Sequence, residues 1–113
     1  MSDTDRKFRK DLNAGLVSLV LLALLDASDE DLYAYDIAKR LDRVRDGASL
    51  FSEGALYPVL RSLAAAGWLT SRIVPSYSGP PRRYYRITDE GRAALAERRA
   101  AWRDTRDFVD ALV

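Results

Sequence analysis

Apolar residues recur at helical spacing in several segments of this sequence, and the first of these segments is apolar on almost every side. Residues 9–26 predict a helix whose stretch "LVSLVLLALL", at 16–25, includes a single polar residue, Ser18. A helix without a polar face is buried by its own domain and, in a small protein, also by a second subunit. We therefore expect part of it to lie in a subunit interface, although an ordinary core helix would show the same pattern.

A second, amphipathic helix is predicted after an acidic turn. Its apolar positions follow the spacing of one helical face and are Tyr33, Ile37, Leu41 and Val44. Asp31 can cap the first turn, where acidic side chains are favourable. We expect the helix to end near Asp46 and Gly47, because glycine readily adopts the left-handed conformation that terminates helices.

A third helix is predicted between Ser52, a good N-cap, and Gly67, a good terminator. Its predicted buried stripe consists of Leu56, Val59, Leu60 and Leu63. At 100° per residue, Gly54 and Pro58 lie on the opposite, outward face together with Arg61. This face has no bulky side chain for more than a turn.

Two strands and a last helix complete the chain. Residues 69–74 and 82–88 favour strands, and the segment "PSYSGPP" between them is rich in turn formers. Thr88 is a suitable cap for a final helix of about 24 residues. The apolar stripe predicted for this helix consists of Leu95, Trp102, Thr105, Phe108, Val109 and Leu112.

The order helix, helix, helix, strand, strand, helix predicts a fold that is mainly α with a small β-hairpin. A helix-turn-helix followed by a basic hairpin is a winged helix-turn-helix, here residues 1–87. Residues 88–113 are predicted to form a long C-terminal dimerisation helix. We expect this helix to pair with the helix at 9–26 within one compact domain.

Composition excludes most catalytic chemistry. The 113 residues include no cysteine and no histidine, so thiolate nucleophiles, imidazole acid–base catalysis and the usual zinc ligands are absent. The acidic segment "DASDEDLYAYD", at 26–36, has no neighbouring base, and we interpret it as a solvated turn. We expect no enzyme, metal or cofactor. The apolar run at 16–25 is shorter than the roughly 20 residues of a membrane span, which predicts a cytoplasmic protein without a membrane partner.

Charge is distributed unevenly along the chain, although the net charge is only +1. Residues 68–87 contain no acid and carry the arginines Arg72, Arg82, Arg83 and Arg86. Strand alternation places Tyr85 and Ile87 on one face of the second strand. The opposite face carries Arg82, Tyr84 and Arg86. The hairpin therefore has a core face and a cationic, aromatic face.

Gly54 and Pro58 have two interpretations. Proline at 58 removes a helical hydrogen bond and crowds the carbonyl of Gly54, where glycine leaves backbone room. The resulting smooth face, flanked by Tyr57 and Arg61, can lie in a DNA groove, where the arginine reaches a base edge or a phosphate. Alternatively, Gly54 and Pro58 only shape the start of the helix, and Tyr57 packs in the core.

Two stretches together carry a resemblance to a known family. "SEGALYPVLRSLAAAGWLTSR" followed by "GPPRRYYRITDEGRAAL" resembles the PadR family of transcriptional regulators. In that family a "G-x-LYP-x-L-x-x-L-x-x-x-G" recognition helix precedes a wing ending in "YYRLT-x-x-G", and the match spans about residues 16 to 102. The family's His-Gly-Tyr tripeptide is replaced here by Tyr33-Ala34-Tyr35, which keeps the tyrosine but loses the histidine.

The resemblance implies a dimeric repressor of the subgroup with a single C-terminal helix, released from DNA by a small molecule. Trp102 would stack on a flat aromatic effector between the subunits, or would fill the core alone. The predicted DNA-binding residues are Tyr35, Ser52, Gly54, Tyr57, Pro58, Arg61, Arg82, Arg83 and Arg86. The predicted effector-binding residues are Leu16, Leu95 and Trp102. The predicted dimerisation residues are Leu19, Leu22, Leu95, Trp102, Thr105, Phe108, Val109 and Leu112.

A two-fold dimer would bind a near-palindromic operator in double-stranded DNA. The alternative is a winged-helix module that binds a protein or RNA and has no operator, since a fold does not determine a function.

Overall fold

The computed structural model describes residues 2–45 and 50–113. Within these ranges the chain is mainly helical, with one small antiparallel sheet, as the sequence predicts. The elements in chain order are α1 (Asp3–Ala14), α2 (Val17–Asp26), β1 (Leu32–Tyr33), α3 (Ala34–Val44), α4 (Glu53–Ala65), β2 (Leu69–Val74), β3 (Arg82–Ile87) and α5 (Asp89–Leu112).

The segment predicted as one helix at 9–26 forms two helices, and the first begins earlier than expected. Ser2 caps α1 by accepting a hydrogen bond from the Asp5 amide at 3.1 Å. The helix ends at Gly15, where the Leu16 amide donates to the Asn13 carbonyl at 2.9 Å, a tight turn that interrupts the regular ladder. Helix α1 is rich in charged residues and buries none of them, whereas α2 lies in the core. The prediction of a single helix is therefore wrong.

The second helix begins later than predicted, because the residues before it join the sheet. Tyr33 belongs to β1, where it pairs with Tyr84, and α3 starts at Ala34. Asp31 does not cap the helix, since its carboxylate binds two arginines of the hairpin. Ile37 and Leu41 are buried as predicted, but Val44 is exposed. The expected end near residues 46–47 lies outside the described residues.

The third helix agrees closely with the sequence. The Ser52 hydroxyl accepts a hydrogen bond from the Ala55 amide at 3.3 Å and caps α4. Its buried side chains are Leu56, Leu60 and Leu63, and Val59 is partly buried beside them. After the helix, Gly67 has a φ of 82°, the left-handed conformation that favours glycine.

The predicted hairpin is one part of a three-stranded sheet with the order β1-β3-β2. The short strand β1 was not predicted. Strand β3 ends at Ile87, and Thr88 caps α5 by accepting a hydrogen bond from the Gly91 amide at 3.0 Å. Gly91 is buried against the backbone of Trp68, so closely that a Cβ at this position would overlap the Trp68 carbonyl oxygen. We call β2, β3 and the connecting residues 75–81 the wing.

The core surrounds α2, which contacts α4, α5 and β3. Leu22 and Leu95 are 0% and 1% exposed, so they pack inside the single chain and present no surface to a second one. In this conformation of the single chain, neither side chain is accessible to the predicted dimer interface, and Leu95 is not accessible to the predicted effector. Leu19 is only partly buried against the core. Beyond Arg98, all of α5 is exposed.

Candidate nucleic-acid interface

A cleft of about 410 Å³ separates α4 from the wing and from the start of α3. We call it the wing cleft. Five of the predicted DNA-binding residues line it: Tyr35, Tyr57, Arg61, Arg82 and Arg83. Its other lining residues are Tyr33, Ala34, Ser76, Ser78, Gly79, Pro80, Pro81 and Tyr85. No acidic residue is among them, so the arginines give the cleft a positive potential.

Helix α4 contributes one side of this cleft. The Tyr57 hydroxyl donates a hydrogen bond to Oε1 of Glu53 at 3.1 Å. Burial raises the pKa of Tyr57, and the neighbouring Glu53 carboxylate adds to this effect, so the hydroxyl is a hydrogen-bond donor at neutral pH. Tyr57 is 42% exposed, and the alternative that it packs wholly in the core is wrong.

Gly54 and Pro58 lie on the exposed face of α4, beside the cleft. A Cβ at Gly54 would meet nothing within 4 Å. The fold of the single chain therefore does not require glycine at this position, and the smooth face is free for a close approach from outside. The Pro58 carbonyl accepts a hydrogen bond from the Ser62 hydroxyl at 3.0 Å.

The wing contributes the other side. Arg83 donates from Nη1 to the Ser71 hydroxyl at 3.0 Å, a contact across the two strands of the wing. The guanidinium of Arg82 lies 4.7 Å from the centre of the Tyr33 ring. This cation–π contact leaves the donors of Arg82 available to another acceptor. Tyr33 was missed as a site residue, because its position in the sequence suggested a buried helical stripe.

Arg86 lies outside the wing cleft. Its Nε donates to Oδ1 of Asp31 at 2.6 Å, and Nε of Arg72 donates to Oδ2 of the same carboxylate at 2.8 Å. The hydrogen bond from Arg72 lowers the pKa of Asp31, burial opposes this shift, and Arg86 adds to the lowering. The acidic turn is therefore not wholly solvated, which corrects that prediction. Arg86 binds Asp31 outside the wing cleft, and its role in DNA binding stays a prediction.

Two further predicted positions lie apart from this cleft. Ser52, the cap of α4, lines a different depression near α1. Trp102 is on the exposed part of α5 at 39% exposure, whereas Leu16 is half-buried and Leu95 is in the core. The three residues predicted to bind an effector thus have very different access to solvent.

The class of protein follows from these elements. Helices α3 and α4 pack together, and the hairpin of the three-stranded sheet forms a wing after them. A positively charged cleft lies between α4 and that wing. This arrangement defines a winged helix-turn-helix protein.

Sequence comparison gives the family. A model of the Transcriptional regulator PadR-like family matches residues 21–97, which is more than half of the chain. The chain therefore belongs to the PadR-like family of transcriptional regulators, in agreement with the prediction that it is not an enzyme. Transcriptional regulator Rv3488 of Mycobacterium tuberculosis is 40% identical over 77 residues, which cover 66% of this chain and 66% of that protein.

Solved structures show the same fold. A PadR family transcriptional regulator from Eggerthella lenta has a TM-score of 0.79 at 33% identity, covering 97% of this chain and 92% of the other. PadR of Bacillus subtilis, solved in complex with operator DNA, has a TM-score of 0.62 at 24% identity, covering 73% of this chain and 45% of that one. The second likeness is one of fold alone.

Among the helices in residues 2–45 and 50–113, none combines the length and the apolar character that crossing a bilayer requires.

Proposed function

We propose that this chain is a sequence-specific DNA-binding repressor that places α4 in the major groove of an operator and holds the backbone with its wing. The observation that carries the proposal is the wing cleft, in which Arg61, Arg82 and Arg83 lie among four tyrosines and no acidic residue is part of the lining. Nucleic-acid phosphates are the ligands that such a cationic and aromatic surface attracts.

The exposed face of α4 supplies the means of approach. Gly54 and Pro58 let the helix backbone come close to the base edges, and Arg61 lies one turn further along the same side. Arginine binds guanine through two hydrogen bonds in the major groove, so Arg61 is suited to read a base. Arg82 and Arg83, on the wing, are placed for phosphates, which give affinity without sequence information.

The operator complex of Bacillus subtilis PadR supports this function by its fold, since that protein binds operator DNA. The proposal is tested by DNase footprinting on the promoter region of the protein's own gene, with unrelated duplex DNA and structured RNA as competitors. We expect protection of a discrete site that unrelated DNA displaces only at large excess. Equal displacement by RNA, or no protected site, would favour an RNA- or protein-binding module.

We further propose that the repressor is a homodimer built by α5. The distal half of α5 carries an apolar stripe that the single chain leaves uncovered: Trp102, Phe108, Val109 and Leu112. Soluble monomers rarely expose an apolar patch of this extent, and a second copy would cover it. A two-fold dimer would place its two α4 helices about 34 Å apart, one duplex turn, and so bind a near-palindromic operator.

Sedimentation equilibrium tests the dimer. We expect a dimer for the unmodified chain and a monomer for the Phe108→Glu, Leu112→Glu variant. Both residues are exposed, so the core of the single chain stays intact and the variant remains folded. A monomeric unmodified chain would refute dimerisation, while DNA binding through the wing cleft would remain to be judged by the footprint.

The proposed effector is a flat aromatic compound that stacks on Trp102 near the two-fold axis. Such a ligand would alter the spacing of the α4 helices, and any difference in its affinity for the two arrangements shifts DNA binding. The chain has two tryptophans, so the fluorescence signal of Trp102 is the difference between the unmodified protein and Trp102→Phe. Titration with flat aromatic compounds should lower this Trp102 fluorescence and change operator affinity. An operator response that is unchanged in Trp102→Ala would exclude this role.

A further inference from the structure

Helix α1 carries four cations that fall into two classes. Arg6 pairs with Asp3 at 3.6 Å, and Lys7 pairs with Asp11 at 2.7 Å, both within the helix. Arg9 and Lys10 form no ion pair with any residue of the described ranges 2–45 and 50–113. The sequence alone does not show which of these four cations form ion pairs, because each lies within one or two helical turns of an acidic residue.

The cations without an ion pair, Arg9 and Lys10, lie beside α4, the helix that we propose enters the DNA groove. Arg9, Lys10 and Asn13 of α1 line a depression of about 700 Å³ together with Ser52 and Ala55, which belong to the start of α4. We call this the α1 depression. It is separate from the wing cleft, whose lining residues on α4 are Tyr57 and Arg61.

The two depressions flank the smooth face of α4. At 100° per residue, Arg61, Gly54, Pro58, Ala55 and Val59 follow one another around the outside of the helix in that order. Arg61 lines the wing cleft, whereas Ala55 and Val59 line the α1 depression. Gly54 and Pro58 therefore lie between the arginines of the wing on one side and the unpaired cations of α1 on the other.

We infer that Arg9 and Lys10 are a second phosphate-binding element, which contacts the DNA strand across the major groove from the strand that the wing holds. The inference rests on the proposed docking of α4. The major groove is about 12 Å wide, and a helix with its side chains has about the same diameter, so a helix in the groove has one phosphate backbone on each side. Cations on both sides of α4 match that geometry.

The pairing within α1 supports the same conclusion. An ion-paired lysine such as Lys7 must exchange its carboxylate partner for a phosphate, whereas an unpaired cation gains the phosphate without that loss. Arg9 and Lys10 are therefore the cations of α1 that bind DNA with the larger net gain. Helix α1 is already formed and capped by Ser2, so no helix has to fold when they bind.

The test compares two variants that remove the same charge from the same helix. Arg9→Gln, Lys10→Gln removes the unpaired cations, and Arg6→Gln, Lys7→Gln removes the paired ones. Operator affinity is measured at several salt concentrations by fluorescence anisotropy. We expect the first variant to make the log–log salt dependence shallower by about 2 per bound subunit, about 4 for a dimer, and to lower affinity about tenfold or more, because two phosphate contacts are lost in each half-site. The second variant should keep nearly the slope of the unmodified protein.

Hydroxyl-radical footprinting locates the contact. Within each half-site, loss of protection in the first variant should be confined to one strand, the strand across the major groove from the one that the wing holds. Both variants should keep the unfolding midpoint of the unmodified protein, since α1 contributes no buried residue to the core.

The outcomes separate the inference from the proposed function. If the unmodified protein binds no operator, the proposed function itself fails. If it binds and both variants have the same slope, the inference is wrong and the docking of α4 stands. If the Arg9→Gln, Lys10→Gln variant changes the sedimentation behaviour but not the slope, α1 contacts a second copy of the chain instead of DNA, and the inference is again overturned.

Discussion

Asp31 accepts a hydrogen bond from Nε of Arg86 at 2.6 Å, which joins the turn before β1 to strand β3 of the wing. Arg72 shares the same carboxylate, whose side chain is only 11% exposed. These contacts join residues that are 41 and 55 positions apart in the chain. They divide the four arginines of the wing into two that are bound to Asp31 and two that line the wing cleft.

Replacing Asp31 should destabilise the domain. Asp31→Asn removes a carboxylate that holds two arginines, and we expect a loss of about 1–2 kcal/mol in the free energy of unfolding, because both arginine partners are largely exposed. Urea denaturation measures this loss. Asp29→Asn, an exposed position in the same turn, is the matched control and should cost much less. Equal losses would show that only the charge of the turn matters.

The contribution of Asp31 should also depend on pH. Its pKa is lowered from the ordinary value of 3.8 in the folded state, so the stabilisation is complete above that value and is lost as the pH falls through the folded-state pKa. The difference in unfolding free energy between the unmodified chain and Asp31→Asn should shrink on acidification through this range. A difference that stays constant down to the lowest pH of the folded protein would contradict the ion pairs.

The two pairs of wing arginines should behave differently towards DNA. Arg82→Ala, Arg83→Ala should make the salt dependence of operator binding shallower by about 2 per bound subunit, about 4 for a dimer, and should weaken binding to all sequences alike. The control variant Arg72→Ala, Arg86→Ala removes the same charge from the arginines that Asp31 binds, and it should change the slope much less. The proposed role of the wing cleft would be refuted by equal slopes in the two variants.

Position 54 tests the close approach of α4. A side chain there meets no atom of the domain, so Gly54→Gln and Gly54→Glu should both fold. We expect both variants to lose specific operator binding by tenfold or more, because a long side chain keeps the helix from the groove floor. Gly54→Ala should retain most of the affinity. If only the glutamate variant lost binding, charge repulsion and not steric access would explain the result.

Position 91 tests the junction between the wing and α5. Gly91→Ala should lower the free energy of unfolding by about 2–3 kcal/mol, because the added methyl group overlaps the Trp68 carbonyl and crowds Ile87. Thermal and urea unfolding measure the change, and Gly54→Ala serves as the control for a glycine with open space around it. An unchanged stability in Gly91→Ala would show that the junction relaxes easily.

Local chemistry made much of the fold predictable from the sequence. Ser52 and Thr88 cap their helices, and Gly67 ends α4, because each of these effects acts within a few residues of the chain. The apolar periodicity of α4 and the alternation in β3 likewise depend only on the geometry of a single helix or strand. The same local reasoning brought Tyr57 and Arg61 to one surface of α4, where the wing cleft lies.

Tertiary contacts decided the rest. The sequence determined where helices and strands form and which faces are apolar, because capping and periodicity are properties of neighbouring residues. It did not show that Leu95 is enclosed by the core, that Tyr33 joins a strand, or that Arg86 forms an ion pair with Asp31 outside the cleft. These outcomes depend on which distant segments meet, and an ion pair or a strand pairing between residues about fifty positions apart exists only after the chain has packed.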